Sequence, residues 1–450
     1  MKETAYLKCI NPYCGLEYDI KNTNITCEKN HFLDVQYDNI PSIELKELFY
    51  RRRNYRDNIF NESGVWRFRE LLNFCQINTS DIKSCSKYLV SLDGIEGKQS
   101  KPYRMSKVAD FIGLRHNKLL LQLEGYNPSG SFKDNGMSSA ITHAKLVGAT
   151  KIICASTGNT SASAGMYTAN ENMECYVYIP NEQIASGKLS QAYQFGTKVI
   201  KVSGNFDDAF LKSLDDAKKI NAYTVNSVNP FRIEGQKTII YRLLEYLNWD
   251  VPDWIVYPGG ALGNASSCGK CLMELYKWQW IKKIPRLVIV NAEGAKTLYD
   301  LYNGEFDNTK LRWNDGKPNL ELLDRYYKYL NENQIKPNTT ATAIQINKPA
   351  NILKCIRALE FTDGIVTKVS DSEMLDGMAI VGLNGFDCEL ASGAVPAGIK
   401  KLVDAEIIKN DDLVSGILTG RQKDPSLFVE YHSNRKNRFA VTPIDYTSLE

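Results

Sequence analysis

From about Met105 onward, short β-rich runs alternate with longer amphipathic segments, and this alternation constrains the fold more than any other feature. Strands that alternate with helices form parallel sheets covered by helices on both faces. A chain of 450 residues is too long for one ordinary core, so we expect an α/β protein with two parallel-sheet domains and a cleft between them. The predicted strands are 151–156, 174–180, 198–202, 222–227, 254–259, 286–292, 364–370 and 413–420, and the predicted helices include 207–220, 232–247 and 265–283.

The first forty residues differ from the rest, because they form two polar, turn-rich pieces, LKCINPYCGLEYD and ITCEKNHFLDVQYD. These pieces carry Cys9, Cys14, Cys27 and His31 with the spacing C-x4-C and then C-x3-H. Three thiolates and one imidazole suit tetrahedral zinc, but the usual paired C-x2-C is missing. Two interpretations therefore stay open, a zinc-ribbon-like segment and a small β-ribbon without metal.

The net charge and the cysteine content limit which binding partners and which cellular compartment we expect. A formal net charge of +3 over 450 residues does not indicate a nucleic-acid or membrane partner. We see no apolar stretch long enough to span a bilayer, and no signal-peptide run near Met1. The 11 cysteines lack the spacing of a disulfide framework, which predicts free thiols and a cytoplasmic protein.

The stretch NPSGSFKD, residues 127–134, places a lysine at a predicted helix start. Pro128 and Gly130 shape a tight turn, and the positive end of the helix dipole would lower the pKa of Lys133. An amine that is partly neutral can attack a carbonyl and hold it as an imine. Taken alone, the stretch is explained equally well by a surface lysine.

Two further stretches follow predicted strands, where open α/β sheets bind ligands. CASTGNTSASAG, residues 154–165, carries five hydroxyl side chains around Asn159, more than a helix cap needs, and this density favours an anion. YPGGALGNASSCGK, residues 257–270, has three glycines before a helix, a geometry that cradles phosphate. Its spacing fits neither a Walker loop nor a dinucleotide fingerprint, so a different phosphate loop or a plain turn remains.

A second anion site is indicated by VNSVNPFRIEGQKT, residues 225–238. A helix cap explains Asn229 and Pro230 fully. It does not explain the polar residues gathered around the same helix start, which could clamp a phosphate: Asn226, Ser227 and Arg232. A lysine nucleophile, a phosphate loop and an anion loop with an asparagine together indicate pyridoxal phosphate, whose ring acts as an electron sink.

These stretches resemble the threonine synthases, which are fold-type II pyridoxal-phosphate enzymes and lyases. The resemblance rests on motifs in family order: SGVWRFREL (63–71), NPSGSFKD, ASTGNTSASA, GNFDDA (204–209), NSVNPFRIEGQKT and LTGRQKDP (418–425). It implies the tryptophan synthase β-like fold and, we expect, a homodimer. The expected organisation is a zinc-ribbon-like segment at 1–40, a larger cofactor-binding α/β domain at 41–135 and 228–450, and a smaller α/β domain at 136–227.

The resemblance also implies a role for individual residues. Lys133 would form the Schiff base with the cofactor, Asn159 would donate to its ring hydroxyl, and Thr419 would face its pyridine nitrogen. The phosphate of the cofactor would be held by Gly260, Ala261, Leu262, Gly263 and Asn264. The substrate would be held through its carboxylate and phosphate by Ser156, Thr157 and Thr160, and through its phosphate by Asn226, Ser227 and Arg232.

In that family O-phospho-L-homoserine loses phosphate from its γ-carbon, and water adds at the β-carbon to give L-threonine. The sequence departs from the family pattern at GGALGN (259–264), ELASGA (389–394) and TGRQKDP (419–425), so the substrate stays open. Cysteate synthase, which replaces the phosphate of O-phosphoserine with sulfite, would use the same clamp. Another lyase of phosphorylated amino acids, a dehydratase and a non-catalytic binder are further alternatives, although a binder has no need of Lys133.

Overall fold

A computed structural model describes residues 5–54, 58–75, 87–181, 186–204, 206–313 and 318–423, and in the tail residues 427, 429–431 and 439. Its strands are β1 Ala5–Cys9, β2 Glu17–Asp19, β3 Leu33–Tyr37, β4 Pro102–Tyr103, β5 Leu119–Leu123, β6 Lys151–Ala155, β7 Glu174–Pro180, β8 Lys198–Val202, β9 Tyr223–Thr224, β10 Trp254–Pro258, β11 Arg286–Ala292, β12 Ile365–Val369 and β13 Val414–Leu418. Its α-helices are α1 Leu45–Asn54, α2 Ile59–Glu62, α3 Ser106–Ile112, α4 Lys133–Leu146, α5 Asn159–Asn170, α6 Ser186–Gln194, α7 Phe206–Ile220, α8 Pro230–Tyr246, α9 Gly263–Lys277, α10 Thr297–Asn303, α11 Leu320–Glu332, α12 Ile352–Phe361, α13 Asp371–Gly382 and α14 Leu390–Asp404. Within these ranges, each helix is too short or too polar to cross a membrane.

The described strands pair into three sheets. A small antiparallel sheet, in the order β2-β1-β3, forms the N-terminal ribbon. The largest sheet has the order β12-β11-β10-β13-β5-β4, and its neighbours are parallel except at the β4–β5 edge. The third sheet, β8-β7-β6-β9, is parallel throughout. Every strand predicted from the sequence is present, and the α/β class with two parallel sheets is confirmed.

The division into domains remains a prediction. The strands of the β8-β7-β6-β9 sheet lie within the expected smaller domain, 136–227, and those of the largest sheet lie within 41–135 or 228–450. Helix α4 starts at Lys133 and so crosses the boundary that we placed at 135. The ends of the predicted ranges, 1–4 and most of the tail beyond 423, lie outside the described residues.

Each parallel sheet contains a strand at which the strand order reverses. Strand β10 lies between β11 and β13, and strand β6 lies between β7 and β9. Ligands of open α/β sheets bind at the carboxyl ends of strands at such points. The loops that leave these ends are the motif-bearing ones: 259–262 after β10, 419–423 after β13, 156–158 after β6 and 225–229 after β9.

Two glycines allow helices α4 and α8 to pack closely. A Cβ atom on Gly235 would lie 2.0 Å from the carbonyl oxygen of Asn135, and one on Gly136 would lie 2.8 Å from that of Arg232. Backbone atoms cannot give way, so a larger residue at either position would force the helices apart. The glycines therefore hold the N-terminal turns of the two helices, with Lys133 and Arg232, side by side.

The ribbon shares the main apolar core. Buried Leu7 and Val35 of the ribbon belong to the same cluster as Val177 of the smaller parallel sheet and Leu287 of the larger one. A second cluster, which includes Leu121, covers the other face of the largest sheet. The N-terminal segment is therefore packed into the body of the protein.

Candidate active site

The turn before helix α4 is fixed by a buried carboxylate. Gly130 takes a left-handed conformation with φ 84°, which glycine adopts without strain. The carboxylate of Asp134 accepts bonds from the backbone N–H and hydroxyl of Ser129, at 2.7 and 2.6 Å, and from the hydroxyl of Ser163, at 2.6 Å. Because Ser163 lies on α5, Asp134 ties the lysine-bearing turn to that helix.

Lys133 is the first residue of α4, as the sequence predicted, and its side chain is partly buried. Burial lowers the pKa of Lys133 from 10.5 to about 7, with a further lowering by the positive charge of Arg232 and an opposing effect of the Glu389 carboxylate. The ammonium nitrogen lies 4.1 Å from the ring centroid of Phe132. Burial, rather than the helix dipole that we expected to act, is the main cause of this low pKa.

Asn159 and Thr419 are joined by a carboxylate that lies between them. The Nδ2 of Asn159 donates to Oε2 of Glu389 at 3.0 Å, and the hydroxyl of Thr419 donates to Oε1 at 3.2 Å. On its other side, Asn159 accepts a bond at its Oδ1 from Nζ of Lys423 at 3.0 Å. An ammonium only donates and an ionised carboxylate only accepts, so the amide orientation of Asn159 is determined, with its N–H groups toward Glu389.

Glu389 and Lys423 were not among the residues that the sequence indicated. Their partners lie far away along the chain, since Glu389 is 230 residues from Asn159 and Lys423 is 264 residues from it. A signal was available, because both lie in stretches that depart from the family pattern, ELASGA and TGRQKDP. Of the motifs used above, Asn205 in GNFDDA and residues 424–425 in LTGRQKDP lie outside the described residues.

The loop between β10 and α9 combines an unusual backbone conformation with free backbone N–H groups in the described part of the chain. Leu262 takes a left-handed conformation with φ 65°, although it is not glycine, and this costs roughly 1–2 kcal/mol. Among the residues that the structure describes, the N–H groups of Gly260, Ala261 and Leu262 have no acceptor. Helix α9 then begins at Gly263, while Asn264 turns back and accepts a bond from its neighbour's N–H. Strain together with unpaired N–H groups at a helix start is typical of an anion site.

Among the side chains of the candidate site, Arg232 gives the strongest indication of a bound anion. It is fully buried, and its guanidinium donates from Nη1 to the carbonyl oxygen of Val225 at 2.9 Å. Its Nε and Nη2 have no hydrogen-bond partner within the described part of the chain. Burial lowers the pKa of Arg232 to about 10. A buried cation without a partner is costly, so this guanidinium fits a site that an anion completes.

Asn226 and Ser227, the other residues of the predicted phosphate clamp, differ in the hydrogen bonds that they already make. The amide of Asn226 is paired on both sides with the backbone of Ala155, at 3.0 and 3.2 Å, and so continues the β6–β9 pairing. Ser227 lies beside the glycine loop, because Asn351 donates to its carbonyl oxygen at 3.0 Å and to that of Ala261 at 3.4 Å. The structure thus brings Ser227 and the glycine loop together, and gives Asn226 a structural bond in addition to its predicted role.

The hydroxyl loop after β6 is partly accessible to solvent. Ser156, Thr157 and Thr160 are all partly exposed, whereas Asn159 between them is buried. The hydroxyl of Ser156 accepts the N–H of Gly158 at 3.1 Å, which shapes the loop.

In the N-terminal ribbon, the structure also brings together the four residues predicted as metal ligands, with ligand atoms within 4.8 Å of one another: Cys9, Cys14, Cys27 and His31.

The chain matches the model of the pyridoxal-phosphate dependent enzyme family over residues 102–420. The threonine synthase of Methanocaldococcus jannaschii is 35% identical over 420 residues, which cover 93% of each chain. That of Methanosarcina acetivorans is 33% identical over 94% of each chain. The threonine synthase of Bacillus sp. strain ULM1 is 38% identical over 308 residues, or 68% of this chain and 78% of that protein.

Solved structures that resemble the protein share its fold at low sequence identity. A pyridoxal 5'-phosphate-dependent aspartate racemase superposes with a TM-score of 0.58 at 19% identity, over 73% of this chain and 91% of that one. Threonine deaminase isoform 2 from Solanum lycopersicum gives a TM-score of 0.57 at 15% identity, over 80% and 94% of the two chains. On the family match and the sequence relatives, the chain belongs to the threonine synthase family of pyridoxal-phosphate dependent enzymes.

Proposed function

We propose that the protein is a threonine synthase, which converts O-phospho-L-homoserine and water to L-threonine and phosphate. The observation that carries this proposal is Arg232, a buried guanidinium beside the lysine-bearing helix, two of whose nitrogens have no partner among the described residues. It suits a phosphorylated substrate, because arginine binds phosphate through two parallel hydrogen bonds. Relatives that match over more than nine-tenths of the chain carry the same activity in their names.

The residues of the cleft fit pyridoxal phosphate. The N–H groups of 260–262, which have no acceptor among the residues described, would hold its phosphate together with the start of α9, and Lys133 would bind its aldehyde carbon. Asn159 would donate to its ring hydroxyl, and Thr419 would offer a neutral hydroxyl to its ring nitrogen. When bound, the cofactor supplies an electron sink for substrate carbons.

The chain's own residues would bind the substrate and move its protons. The partly exposed hydroxyls of Ser156, Thr157 and Thr160 would hold the carboxylate of the substrate. Arg232, with Ser227 and the second N–H of Asn226, would bind the phosphate and stabilise its charge as it leaves. The amine of Lys133, with a pKa of about 7, would take up and return protons near neutral pH.

Further proposals concern partners and compartment. We propose a cytoplasmic homodimer that acts on a small phosphorylated amino acid and binds neither nucleic acid nor membrane, supported by the small net charge of +3. A zinc ion on the N-terminal cysteines and histidine would be a second, structural cofactor.

Product identity tests the activity. The purified protein with pyridoxal phosphate is offered O-phospho-L-homoserine in water and, separately, O-phosphoserine with sulfite. We expect phosphate release and threonine formation with the first substrate. Cysteate formation from the second, without threonine from the first, would decide for the cysteate synthase reaction instead. Release of ammonia from unphosphorylated threonine or serine as the main reaction would identify a dehydratase.

The reactivity of Lys133 should depend on pH around neutrality. A lysine with a lowered pKa is protonated below its folded value and neutral above it, so the rate at which cofactor-free protein binds added pyridoxal phosphate should rise with a midpoint near pH 7. Stopped-flow absorbance measures this rate. The Glu389→Gln variant lacks a carboxylate that raises the pKa of Lys133, and we expect its midpoint to be lower. A midpoint near that of free lysine, in either protein, would contradict the burial of the amine.

A further inference from the structure

Two turns of the N-terminal ribbon bring four metal-binding side chains together. Cys9 ends strand β1, and Cys14 follows at the end of a turn. Cys27 and His31 flank a second turn, in which the N–H of Cys27 donates to the carbonyl oxygen of His31 at 2.8 Å. Asn30 in that turn has φ 60°, a conformation that asparagine tolerates better than most residues. The fold thus brings a C-x4-C pair and a C-x3-H pair face to face.

The distances within the cluster match those of metal ligands. The sulfur atoms of Cys14 and Cys27 are 3.8 Å apart, and the sulfur of Cys27 is 3.7 Å from Nδ1 of His31. Around tetrahedral zinc, with Zn–S of about 2.3 Å and Zn–N of about 2.0 Å, two sulfurs lie about 3.8 Å apart and a sulfur and a nitrogen about 3.5 Å apart. A disulfide would place two sulfurs at about 2 Å, so the cluster is not a disulfide.

We propose that Cys9, Cys14, Cys27 and Nδ1 of His31 bind one zinc ion, and that this ion has a structural role. Four protein ligands complete a tetrahedral shell and leave no position for a substrate. Each thiol that binds the metal releases its proton to solvent, so binding is weaker at low pH. The proposal is independent of the reaction at Lys133, because the cluster lies in the ribbon and not in the cleft.

The role of the metal follows from the bonds between the ribbon and the rest of the protein. Nε2 of His143 is 2.8 Å from the carbonyl oxygen of Ile20, and Tyr37 donates to Glu234 at 2.6 Å. Buried lysines also use ribbon carbonyls as acceptors, in the bonds Lys270 to Val35 at 2.6 Å and Lys354 to Leu33 at 2.8 Å.

The helices that carry these groups are α4, α8, α9 and α12. The first three begin at Lys133, Pro230 and Gly263, and so also carry the residues of the cleft at their N-terminal ends. A ribbon held by zinc keeps its carbonyl groups beside the buried lysines. If the ribbon loosened, these buried ammonium groups would lose their carbonyl acceptors, which is costly. We therefore expect zinc to stabilise the whole protein, and not the ribbon alone.

Metal analysis of the full-length protein tests the site. We expect about one zinc ion per chain after expression in zinc-supplemented medium. His31→Ala should lose most of this zinc, and His31→Cys, which restores a fourth thiolate, should retain it. His31 is partly exposed, so neither substitution leaves a cavity in the core. Cys75→Ser is the control, because Cys75, like His31, is partly buried but lies outside the cluster. The zinc content of this variant should equal that of the wild type.

Thermal unfolding supplies a second measurement. A chelator that removes the zinc should lower the melting temperature by several degrees, and added zinc should restore it. A wild-type protein with no stoichiometric zinc, or with iron in its place, would overturn the proposal. Equal zinc content in the wild type and His31→Ala would overturn the assignment of the ligands. Loss of zinc without any change in melting temperature would overturn the structural role.

Discussion

Lys133→Ala should give a protein that stays colourless with pyridoxal phosphate and has lost its activity. The substitution removes the only amine that we place against the cofactor's aldehyde carbon, and with it the group that moves protons. The two effects together predict a loss of kcat of at least about a thousandfold. Absorbance spectra of the dialysed protein measure the first effect, and threonine formation measures the second.

The controls separate chemistry from charge and from folding. Lys133→Arg keeps a cation but cannot form the imine, so it should be as colourless and inactive as Lys133→Ala. Lys145→Ala changes another lysine of α4, one that pairs with Glu171 at 2.7 Å outside the cleft, and should remain yellow. A yellow Lys133→Ala protein, with the cofactor retained after reduction by borohydride, would show that another lysine forms the bond.

Arg232→Met should weaken the binding of the phosphorylated substrate and leave the binding of the cofactor unchanged. Methionine fills a similar volume without charge. A loss of substrate affinity would therefore be due to the missing guanidinium and not to a cavity. Removing one partner of a buried charge pair costs enough to raise KM for O-phospho-L-homoserine by about a hundredfold. Steady-state kinetics measure this change, and a titration with pyridoxal phosphate shows whether cofactor affinity is preserved. An equal loss of both affinities would contradict a clamp for the substrate.

The same substitution should stabilise the fold of the unliganded protein. Arg232 is buried, and in the described part of the chain two of its nitrogens have no partner; such a charge destabilises the fold until an anion binds. We therefore expect Arg232→Met without substrate to melt at a higher temperature than the wild type. The variant should also raise the pKa of Lys133, because it removes a nearby positive charge that lowers this pKa. A lower melting temperature would indicate that Arg232 serves the fold rather than the substrate.

Much of the fold is predictable because its strands are rich in β-branched and aromatic residues. All strands proposed from Lys151 onward are present, and helix α8 begins at the predicted cap, where Asn229 accepts the N–H groups of Phe231 and Arg232. Strand β5, LLLQL, was missed. A short run of leucines has no alternation, and leucine favours helices, so pairing with β13 and β4 makes it a strand.

Local motifs indicate which loops form the site, but not how its side chains pair. Lys133 and Arg232 were proposed from their own sequence contexts, and Thr419 was proposed from the family resemblance. The bond from Asn159 to Glu389 joins the first residue of α5 to the residue before α14, and the pairing of Asn226 with Ala155 uses a side chain in place of a strand. Such contacts depend on tertiary structure, and a single sequence carries no periodic signal for them.

The order in which the ribbon's partners occur along the chain has a consequence for synthesis. The ribbon ends at Tyr37, but its last lysine partner is Lys354. At roughly 5–20 residues per second, the ribosome needs roughly 16 to 60 seconds to cover this distance. A three-stranded sheet this small is marginal without a metal or a covering helix, and its apolar Leu7 and Val35 stay uncovered until later parts of the shared core are made. We therefore expect the nascent N-terminal segment to bind zinc while it is still attached to the ribosome, and to be an early site of chaperone binding when zinc is scarce.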